Sequence, residues 1–274
     1  MKHATELIEE VFRDYEDVAL KFVGPKYWNT LKFTYIRTLD DILAAAEELR
    51  RERGDGAPLA VLEIGAFAGI VSTALKRAGF SVTAADISLF MMDDALLRHY
   101  RKEGITPVCC DLSRLPLPIG DGAFDIVICC EVLEHLNFNV IPVFREMNRL
   151  LKQGGFLYLA TPNQANIATR LRLARGLSIH NPVEHLVWQL DPHSDFSIGL
   201  HWREYMAEEL GQLLTLTNFK MVRHYYCHYN DRSQSRFLRR RLVSLMYKCF
   251  PAFLPCQVAI GAKHAECNQG VPSK

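Results

Sequence analysis

The chain has 274 residues, of which 49% are hydrophobic and 23% charged, an ordinary composition for a globular protein with a substantial core. This length suits one large α/β domain with additions, or at most two small domains. The net charge of +1 excludes a strong overall field that would recruit nucleic acid or an acidic surface. No apolar run reaches about 18 residues, so we expect no membrane-spanning helix. The acidic, amphipathic start of the chain does not look like a secretory signal.

The cysteine pattern indicates a reducing cytoplasm. Eight cysteines occur without any CxxC spacing, which argues against zinc-binding and thioredoxin-like sites. Two adjacent pairs, Cys109-Cys110 and Cys129-Cys130, fall in predicted strands. Neighbouring strand residues point to opposite faces, so we expect both pairs to pack as small apolar side chains.

In chain order, residues 1–55 are predicted to be helical, and the helical apolar spacing of LDDILAAAEELRRER ends at Gly54. Short apolar strands then alternate with helices. The predicted strands are 59–65, 81–86, 106–111, 124–130 and 154–162, and the helices between them are 69–79, 90–103 and 138–151. This alternation predicts right-handed crossovers and a parallel sheet.

The alternation breaks at residues 164–200, which contain Asn181-Pro182, Asp191-Pro192 and several histidines. We interpret this segment as a cap inserted after the fifth strand. Regular elements then return: a helix at 203–217, a strand at 219–227, a basic helical segment at 235–249 and a strand at 255–262.

Three successive strands end in groups that suit a nucleoside-like ligand. The first runs into a glycine turn, Glu63-Ile-Gly65-Ala-Phe-Ala-Gly69, which lets a ligand approach the backbone and leaves helix N–H groups free. The Gly-x-Gly-x-x-Gly pattern of dinucleotide-binding proteins would require glycine at positions 67 and 70, which are Phe67 and Ile70. The spacing therefore argues against an NAD site. Asp86 ends the second strand and could accept both hydrogen bonds of a ribose diol. The third ends in Asp111-Leu112. Each carboxylate alone could equally be a helix cap or a solvated turn.

Residues 59–163 carry a specific resemblance. The segments are VLEIGAFAG, VTAADIS, CDLSRLPLPIGDGAFDIVICCEVLEHL and FREMNRLLKQGGFLYLATPN. Together they resemble the core of class I S-adenosylmethionine-dependent methyltransferases of the methyltransferase type 11 group, with a weaker similarity at 201–219. The resemblance implies a doubly wound, seven-stranded, mostly parallel sheet of the Rossmann-like methyltransferase fold, with one antiparallel strand near its end.

The resemblance also implies a domain organisation. Residues 1–55 would form an N-terminal helical lid and residues 56–265 the methyltransferase domain. Within that domain, 164–200 would be the cap over the acceptor and 232–250 a basic amphipathic helix. Residues 266–274 would form a tail.

By the same resemblance, the cofactor S-adenosyl-L-methionine would be held in three parts. The loop of Glu63, Gly65, Ala66 and Gly69 would lie under its methionine part. Asp86 would hold the ribose hydroxyls, and Asp111 and Leu112 would flank the adenine. The predicted set is completed by Ile87 and by Cys130, whose backbone would meet the methionine amino group. Phe67 departs from the family, which usually has a second glycine there.

Glu131, Glu134 and His135 would share one face of a helix at i, i+3 and i+4 spacing. Such a set could bind a divalent metal, as a similar motif does in the small-RNA 3′-terminal 2′-O-methyltransferases. A fourth ligand could come from His180, His185, His193 or His201. The same letters are common in metal-free members, so we expect no metal, with Glu134 and His135 orienting the loop beside the methyl donor. His135 is the candidate general base, and a structural role for it and for His201 stays open.

The expected reaction is methyl transfer by in-line displacement to a small-molecule acceptor or one linked to a lipid or glycan. Two alternatives remain. One is a metal-assisted RNA 2′-O-methyltransferase, based on Glu131, Glu134 and His135. The other is a non-catalytic methyltransferase-like binding module, based on Phe67. Outside residues 232–248 we find no aromatic and basic platform for single-stranded RNA, so a nucleic-acid partner is not expected.

Two further segments could contact ligands. The aromatic residues Tyr27, Trp28, Phe33 and Tyr35 could close over the sulfonium or pack the N-terminal helices on the core. In the basic segment, Arg236, Arg240, Arg241 and Lys248 fall on one helical face and Leu238, Leu242 and Leu245 on the other. This helix could bring a cytoplasmic protein to the anionic inner membrane surface, or pack on the sheet. The identity of the acceptor, the methylated atom and the oligomeric state stay open.

Overall fold

The computed structural model describes residues 3–19, 21, 25–54, 56–188, 200–229 and 245–264, and it contains a seven-stranded sheet of order β3-β2-β1-β4-β5-β7-β6. The strands are β1 (Ala60–Ile64), β2 (Ser81–Asp86), β3 (Thr106–Cys109), β4 (Phe124–Cys130), β5 (Leu151–Pro162), β6 (Phe219–Cys227) and β7 (Cys256–Lys263). All neighbours are parallel except that β7 runs antiparallel to both β5 and β6. The predicted fold class, with one antiparallel strand, is confirmed.

Helices flank this sheet. They are α1 (Ala4–Ala19), α2 (Pro25–Arg53), α3 (Ile70–Arg77), α4 (Ser88–Met91), α5 (Asp94–Glu103), α6 (Ile141–Leu150), α7 (Ile167–Ala174), α8 (His185–Trp188) and α9 (Ala207–Leu216). The single helix predicted for 90–103 is divided in two, because the Asp93 carboxylate accepts the N–H of Leu96 and starts a new helix. The helices predicted within residues 1–55 are confirmed by α1 and α2.

The core consists of one hydrophobic cluster on each face of the sheet. Side chains of α1, α2 and α3 bury one face, and those of α6 and α9 bury the other. Successive residues of the central strands alternate between the clusters, with Val61 in the first and Leu62 in the second. The sheet is therefore covered on both sides, as a mostly parallel sheet requires.

The adjacent cysteines follow this alternation. Cys129 lies in one cluster and Cys130 packs against the other, as predicted. Cys110 is buried, whereas Cys109 is exposed at the end of the edge strand β3. The prediction that both pairs pack as apolar side chains is therefore wrong for Cys109, because the edge of a sheet is covered less completely than its centre.

Several predicted features fall partly or wholly outside the described residues. These are positions 189–199 of the cap with His193, the side chains of Tyr27 and Trp28, and positions 230–244 of the basic segment with Arg236, Arg240 and Arg241. Residues 245–249 are helical. Within the described part of the chain, no helix is long and apolar enough to cross a membrane.

The buried carboxylate of Asp125 ties α2 to the edge of the sheet where β1 begins. It pairs with Arg53 at 2.9 Å and with Lys152 at 2.9 Å, and it accepts the N–H of Ala60 at 2.7 Å. Its side chain is only 5% exposed. Removing one partner of a buried charge network leaves the other charges uncompensated, so this residue should matter for stability.

We expect Asp125→Ala to lower the free energy of unfolding by about 2–4 kcal/mol in a urea titration. Asp121→Ala is the matched control, because Asp121 also pairs with an arginine, Arg149, but is 80% exposed. This control should change the free energy by less than about 1 kcal/mol. Equal effects of the two substitutions would show that burial does not set the strength of the Asp125 network.

Candidate functional site

The glycine turn between β1 and α3 requires glycine at two positions. Gly65 and Gly69 have φ angles of 77° and 75°, in the left-handed region. A Cβ atom at Gly65 would lie 2.2 Å from Cγ2 of Val132, and one at Gly69 would lie 2.7 Å from the hydroxyl of Tyr100. Gly69 also begins α3 without a capping side chain, so the first N–H groups of this helix are left for a ligand.

Phe67 adopts a conformation that glycine adopts freely. Its φ is 48°, which costs a residue with a side chain about 1–2 kcal/mol. Its N–H donates to the Asp86 carboxylate at 2.7 Å, and its ring packs edge-on against Phe90 with centroids 5.0 Å apart. These contacts offset the strain, so the turn accommodates phenylalanine at the position where the family usually has glycine.

Asp86, the last residue of β2, is positioned by two backbone N–H groups. Its two carboxylate oxygens accept from Phe67 and Ile87, both at 2.7 Å. Burial raises the pKa of Asp86, and the two N–H bonds act in the opposite direction. Each Asp86 carboxylate oxygen keeps a second lone pair, so the side chain can still accept hydrogen bonds from two vicinal hydroxyl groups.

The remaining predicted cofactor residues lie at the same edge of the sheet. The Cys130 carbonyl is 3.9 Å from the position of a Cβ on Gly65. Beyond β3, the N–H of Cys110 donates to the Asp86 carbonyl at 2.8 Å, which places Asp111 and Leu112 next to the end of β2. Two hydrogen bonds from Ser113 lower the pKa of the exposed Asp111.

Glu63 differs from the other predicted residues because it is buried beneath the turn. Its carboxyl group accepts a short hydrogen bond from the Ser72 hydroxyl on α3. Burial raises the pKa of Glu63 to about 8, against the lowering effect of the Ser72 bonds. At neutral pH this side chain therefore holds a proton, and its hydrogen bond to Ser72 connects β1 to α3 on the buried side of the turn.

The helix on which the metal hypothesis depends does not form at Glu131 to His135. Glu131 has a left-handed φ of 54°, and its N–H donates to the Ala160 carbonyl at 2.8 Å. Only Leu133–His135 forms a turn of 3-10 helix. Because Glu131 is still bonded to the sheet, no helix can begin there, and the i, i+3, i+4 spacing does not place these three side chains on one face.

Instead, the two glutamates point to different partners. The Glu131 carboxylate faces the Cys256 thiol, with 3.8 Å between Oε1 and Sγ. The Glu134 carboxyl group accepts the Thr161 hydroxyl on Oε2 at 3.0 Å. Its Oε1 is fully buried and lacks a hydrogen-bond partner. Burial, together with the charge of Glu131, raises the pKa of Glu134 well above its ordinary value.

Two histidines complete a group around the unpartnered Oε1 of Glu134. His135 Nε2 lies 3.9 Å from this oxygen, and the rings of His135 and His201 are 5.0 Å apart. The Nδ1 of His135 donates to the Leu200 carbonyl at 3.0 Å, which assigns the lone pair to Nε2. Burial lowers the pKa of His135, so its imidazole is neutral near pH 7.

Glu134, His135 and His201 could hold a divalent cation. One ligand atom of each lies within 4.8 Å of the others, and His201 is in turn oriented by Glu204 through a 3.0 Å contact at Nδ1. A buried carboxyl oxygen without a partner beside two nitrogen donors fits such an ion. Equally, the neutral Nε2 of His135 can accept a proton. Of the other predicted ligands that the structure describes, His180 and His185 lie outside this group.

Sequence reasoning missed the contribution of α2. Arg37 donates to the His228 carbonyl at 2.6 Å, and its Nη2 is 4.0 Å from the Cys256 thiol. One turn further along α2, Asp41 accepts the hydroxyls of Tyr158 and Tyr225. The i, i+4 spacing of Arg37 and Asp41 was the available signal, because it places the two charged residues on one face of α2.

Comparison with known proteins agrees with this geometry. Residues 62–159 match the family model described as "Methyltransferase domain". This match agrees with the resemblance to class I S-adenosylmethionine-dependent methyltransferases and with the observed sheet order. The match begins inside β1 and ends inside β5, so the matched region includes the glycine turn, Asp86, Asp111 and the Glu131–His135 segment.

Curated relatives of the methyltransferase domain share a name. The chain is 31% identical over 150 residues to the "Ubiquinone biosynthesis O-methyltransferase" of Caulobacter vibrioides, covering 53% of this chain and 56% of that protein. It is 29% identical over 156 residues to the protein of the same name from Pseudomonas paraeruginosa, covering 55% and 64%. The chain thus spans about half the length of the curated relatives it matches.

Solved structures share the fold over more of the chain. A SAM-dependent methyltransferase of Thermotoga maritima has a TM-score of 0.52 at 16% identity, covering 95% of this chain and 100% of that one. The 1,6-didemethyltoxoflavin-N1-methyltransferase of Burkholderia thailandensis, solved with S-adenosylhomocysteine, has a TM-score of 0.52 at 19% identity, covering 96% and 89%. At these identities the likeness shows the fold alone.

Glu63 should make stability depend on pH. Because its folded pKa of about 8 lies above its ordinary value of 4.5, the folded state keeps a proton that the unfolded state releases. This contribution is complete below about pH 4.5 and is lost as the pH rises through about 8. Between about pH 4.5 and 8, the free energy of unfolding of wild type should fall by on the order of a few kcal/mol because of Glu63. We expect this fall to be absent in Glu63→Gln, as measured by urea titration at each pH.

Glu103→Gln is the control for this measurement. The hydrogen bonds of Arg77 lower the pKa of Glu103, so its contribution is lost only as the pH falls. The difference between this variant and wild type should stay constant above about pH 6. A Glu63→Gln profile parallel to that of wild type would contradict the assignment of a buried, protonated Glu63.

Proposed function

We propose that this protein transfers the methyl group of S-adenosylmethionine to a small-molecule acceptor. The observation that carries the proposal is the set of groups at one edge of the sheet: the glycine turn after β1, Asp86 at the end of β2 and Cys130 at the end of β4. In our proposal, Gly65, Ala66 and Gly69 lie under the methionine part and Asp86 and Ile87 bind the ribose. Asp111 and Leu112 would flank the adenine, with Glu63 supporting the turn from beneath.

The reaction would rely on proximity and on one proton acceptor. Bound S-adenosylmethionine supplies a methyl group on a sulfonium that is intrinsically electrophilic. The chain would hold the acceptor in line with that methyl group. His135 would take the proton of a hydroxyl or amine acceptor on Nε2, because its Nδ1–H already donates to the Leu200 carbonyl. Burial and the charge of Glu131 raise the pKa of Glu134 beside it, which favours the neutral form of that carboxyl group.

The name of the curated relatives supports an oxygen acceptor, although this chain spans only about half their length. Support for a lipid-linked acceptor comes from the basic segment 232–250, which would meet an anionic membrane surface. A cytoplasmic site fits the cysteines, since all seven that the structure describes are free.

A second candidate is a metal-assisted form of the same reaction. The observation that favours it is the buried Oε1 of Glu134, which lacks a partner and lies beside His135 and His201. These three residues would hold a divalent cation, which would polarise an acceptor oxygen and lower its pKa. The predicted ligand Glu131 is not part of this group.

Cofactor binding can be tested without knowing the acceptor. S-adenosylhomocysteine should raise the melting temperature, because a ligand of the folded state stabilises it. Asp86→Asn should weaken the ligand affinity by about tenfold or more through lost charge-assisted hydrogen bonds, as measured by calorimetry. Asp94→Ala is the control, since Asp94 is an exposed aspartate in the nearby α5. If wild type does not respond to the ligand, the non-catalytic alternative replaces this proposal.

Chelation separates the two candidate functions. We expect methyl transfer to survive EDTA, because displacement from a sulfonium needs no Lewis acid. Loss of activity with recovery on adding magnesium or manganese would favour the metal-assisted form. In that case wild type should bind manganese in calorimetry and His201→Ala should not, a readout that does not depend on turnover.

A further inference from the structure

Arg37, on α2, is a half-buried arginine without an acidic partner. Among the residues that the structure describes, no carboxylate forms an ion pair with its guanidinium group. Asp41, one turn further along the helix, does not fill this role, because it accepts the hydroxyls of Tyr158 and Tyr225. Its ion pair is with Arg223, at 3.7 Å. A cation removed from water without a counterion is costly, so the position of Arg37 calls for an anion.

The guanidinium group of Arg37 has one edge that the described residues leave open. Nη1 donates to the His228 carbonyl at 2.6 Å. The Nε–H and one N–H of Nη2 point in the same direction along a second edge. Nε is fully buried and has no hydrogen-bond partner, and the contact of Nη2 is the Cys256 thiol at 4.0 Å. Two parallel N–H donors in this arrangement match the two oxygens of a carboxylate.

Glu131 is the carboxyl group that influences Arg37 most directly, but it does not occupy this edge. The Cys256 thiol contacts both residues, at 4.0 Å from Nη2 of Arg37 and 3.8 Å from Oε1 of Glu131. Burial raises the pKa of Glu131, and the charge of Arg37 acts in the opposite direction. The two side chains therefore interact through space, and a ligand can still take both N–H groups of the open edge.

Arg37 belongs to a polar stripe on α2 that meets the ends of the strands. Thr34, Arg37, Thr38 and Asp41 share one helical face by their i, i+3, i+4 and i+7 spacing. Thr34 and Thr38 are buried, at 3% and 2% exposure. Thr38 lies beside the Cys130 thiol at the end of β4. The stripe therefore covers the same edge of the sheet as the predicted cofactor residues.

The separation between Arg37 and the predicted cofactor position suits a small molecule. In the sheet, Cys130 pairs with Ala160, and Ala160 pairs with Val258 of β7. Cys256, which contacts Arg37, precedes Val258 by two residues on the same strand. Neighbouring strands lie about 4.8 Å apart, so β7 is about 10 Å from β4. A molecule with an acidic group at one end and a hydroxyl or amine at the other spans a distance of this order.

We propose that the Nε–Nη2 edge of Arg37 binds a carboxylate of the methyl acceptor and so determines which acceptors the site takes. This inference rests on the proposed function, since it names the class of the acceptor. A bidentate bond fixes both the position and the orientation of the bound group, as in-line transfer requires. A carboxylate fits better than a phosphate, because the edge is partly buried and a dianion costs more to remove from water.

Pairs of acids and their uncharged amides test this binding. Acetate, benzoate and phenylacetate, and the three corresponding amides, are titrated into wild type saturated with S-adenosylhomocysteine and followed by ligand-observed NMR. At least one acid should bind about tenfold or more tightly than its amide, because the amide has almost the same shape but no charge. Arg37→Met should reduce the affinity for that acid to the affinity for its amide. Arg37→Lys should restore only part of the difference, since a lysine is a point charge without a bidentate edge.

Arg223→Met is the matched control. Arg223 lies on β6 and is exposed, and it already has a carboxylate partner in Asp41. This variant should bind the acid as wild type does. Calorimetry with S-adenosylhomocysteine checks the fold of each variant, because Arg37 lies on the acceptor side of the site. If Arg37→Met does not bind this ligand, Arg37→Lys, which keeps the charge, serves as the comparison.

Three results would overturn the proposal. In the first, no acid binds wild type more tightly than its amide, although S-adenosylhomocysteine binds. In the second, the preference for the acid survives in both Arg37 variants. In the third, phenyl phosphate binds more tightly than every acid and loses this affinity in Arg37→Met, which would assign the edge to a phosphate ester. A wild type that does not bind S-adenosylhomocysteine contradicts the proposed function instead, so the two failures are distinguishable.

Discussion

The turn after β1 approaches the end of β4 so closely that the backbone has no room for a side chain at Gly65, where Val132 already occupies the space. This close approach fixes the positions of the surrounding groups. It brings the Cys130 carbonyl next to the turn, and the Phe67 N–H that follows is bonded to Asp86. The turn is supported from below by the buried Glu63 and its bond to Ser72. A cofactor site at this edge therefore depends on contacts that exist without the cofactor.

The parts of this arrangement that follow from local rules could be predicted from the sequence. The alternation of strands and helices predicted a mostly parallel sheet. The residues at the carboxyl ends of β1 and β2 identified Gly65, Gly69 and Asp86 as candidates. The helix that the metal hypothesis requires at Glu131 to His135 is absent for a non-local reason. The spacing of those residues suits a helix, but the Glu131 N–H is bonded to Ala160 on the neighbouring strand. A pattern within five residues contains no information about that bond.

Long-range partners were missed for the same reason. The N–H of Trp202 donates to the Glu134 carbonyl at 2.7 Å, which holds the neighbouring His201 next to His135 although the two histidines are far apart in the sequence. Arg37 and Asp41 come from a helix placed before the whole domain in the sequence. Composition and periodicity can nominate such residues, but only the packing of α2 across the sheet shows that they meet Cys256 and Tyr158.

Helix α2 connects the two edges of the sheet. Arg53 at its end is held by Asp125 where β1 begins, and Arg37 lies at the opposite edge, about 24 Å away along the helix axis. A helix packed along its length tilts as a rigid rod, so a displacement at one end must be matched at the other. A residue exchanged near Arg53 would therefore shift the groups around Cys256 and His228 without contacting them. Sequence variation at one edge of the sheet would then be felt at the other.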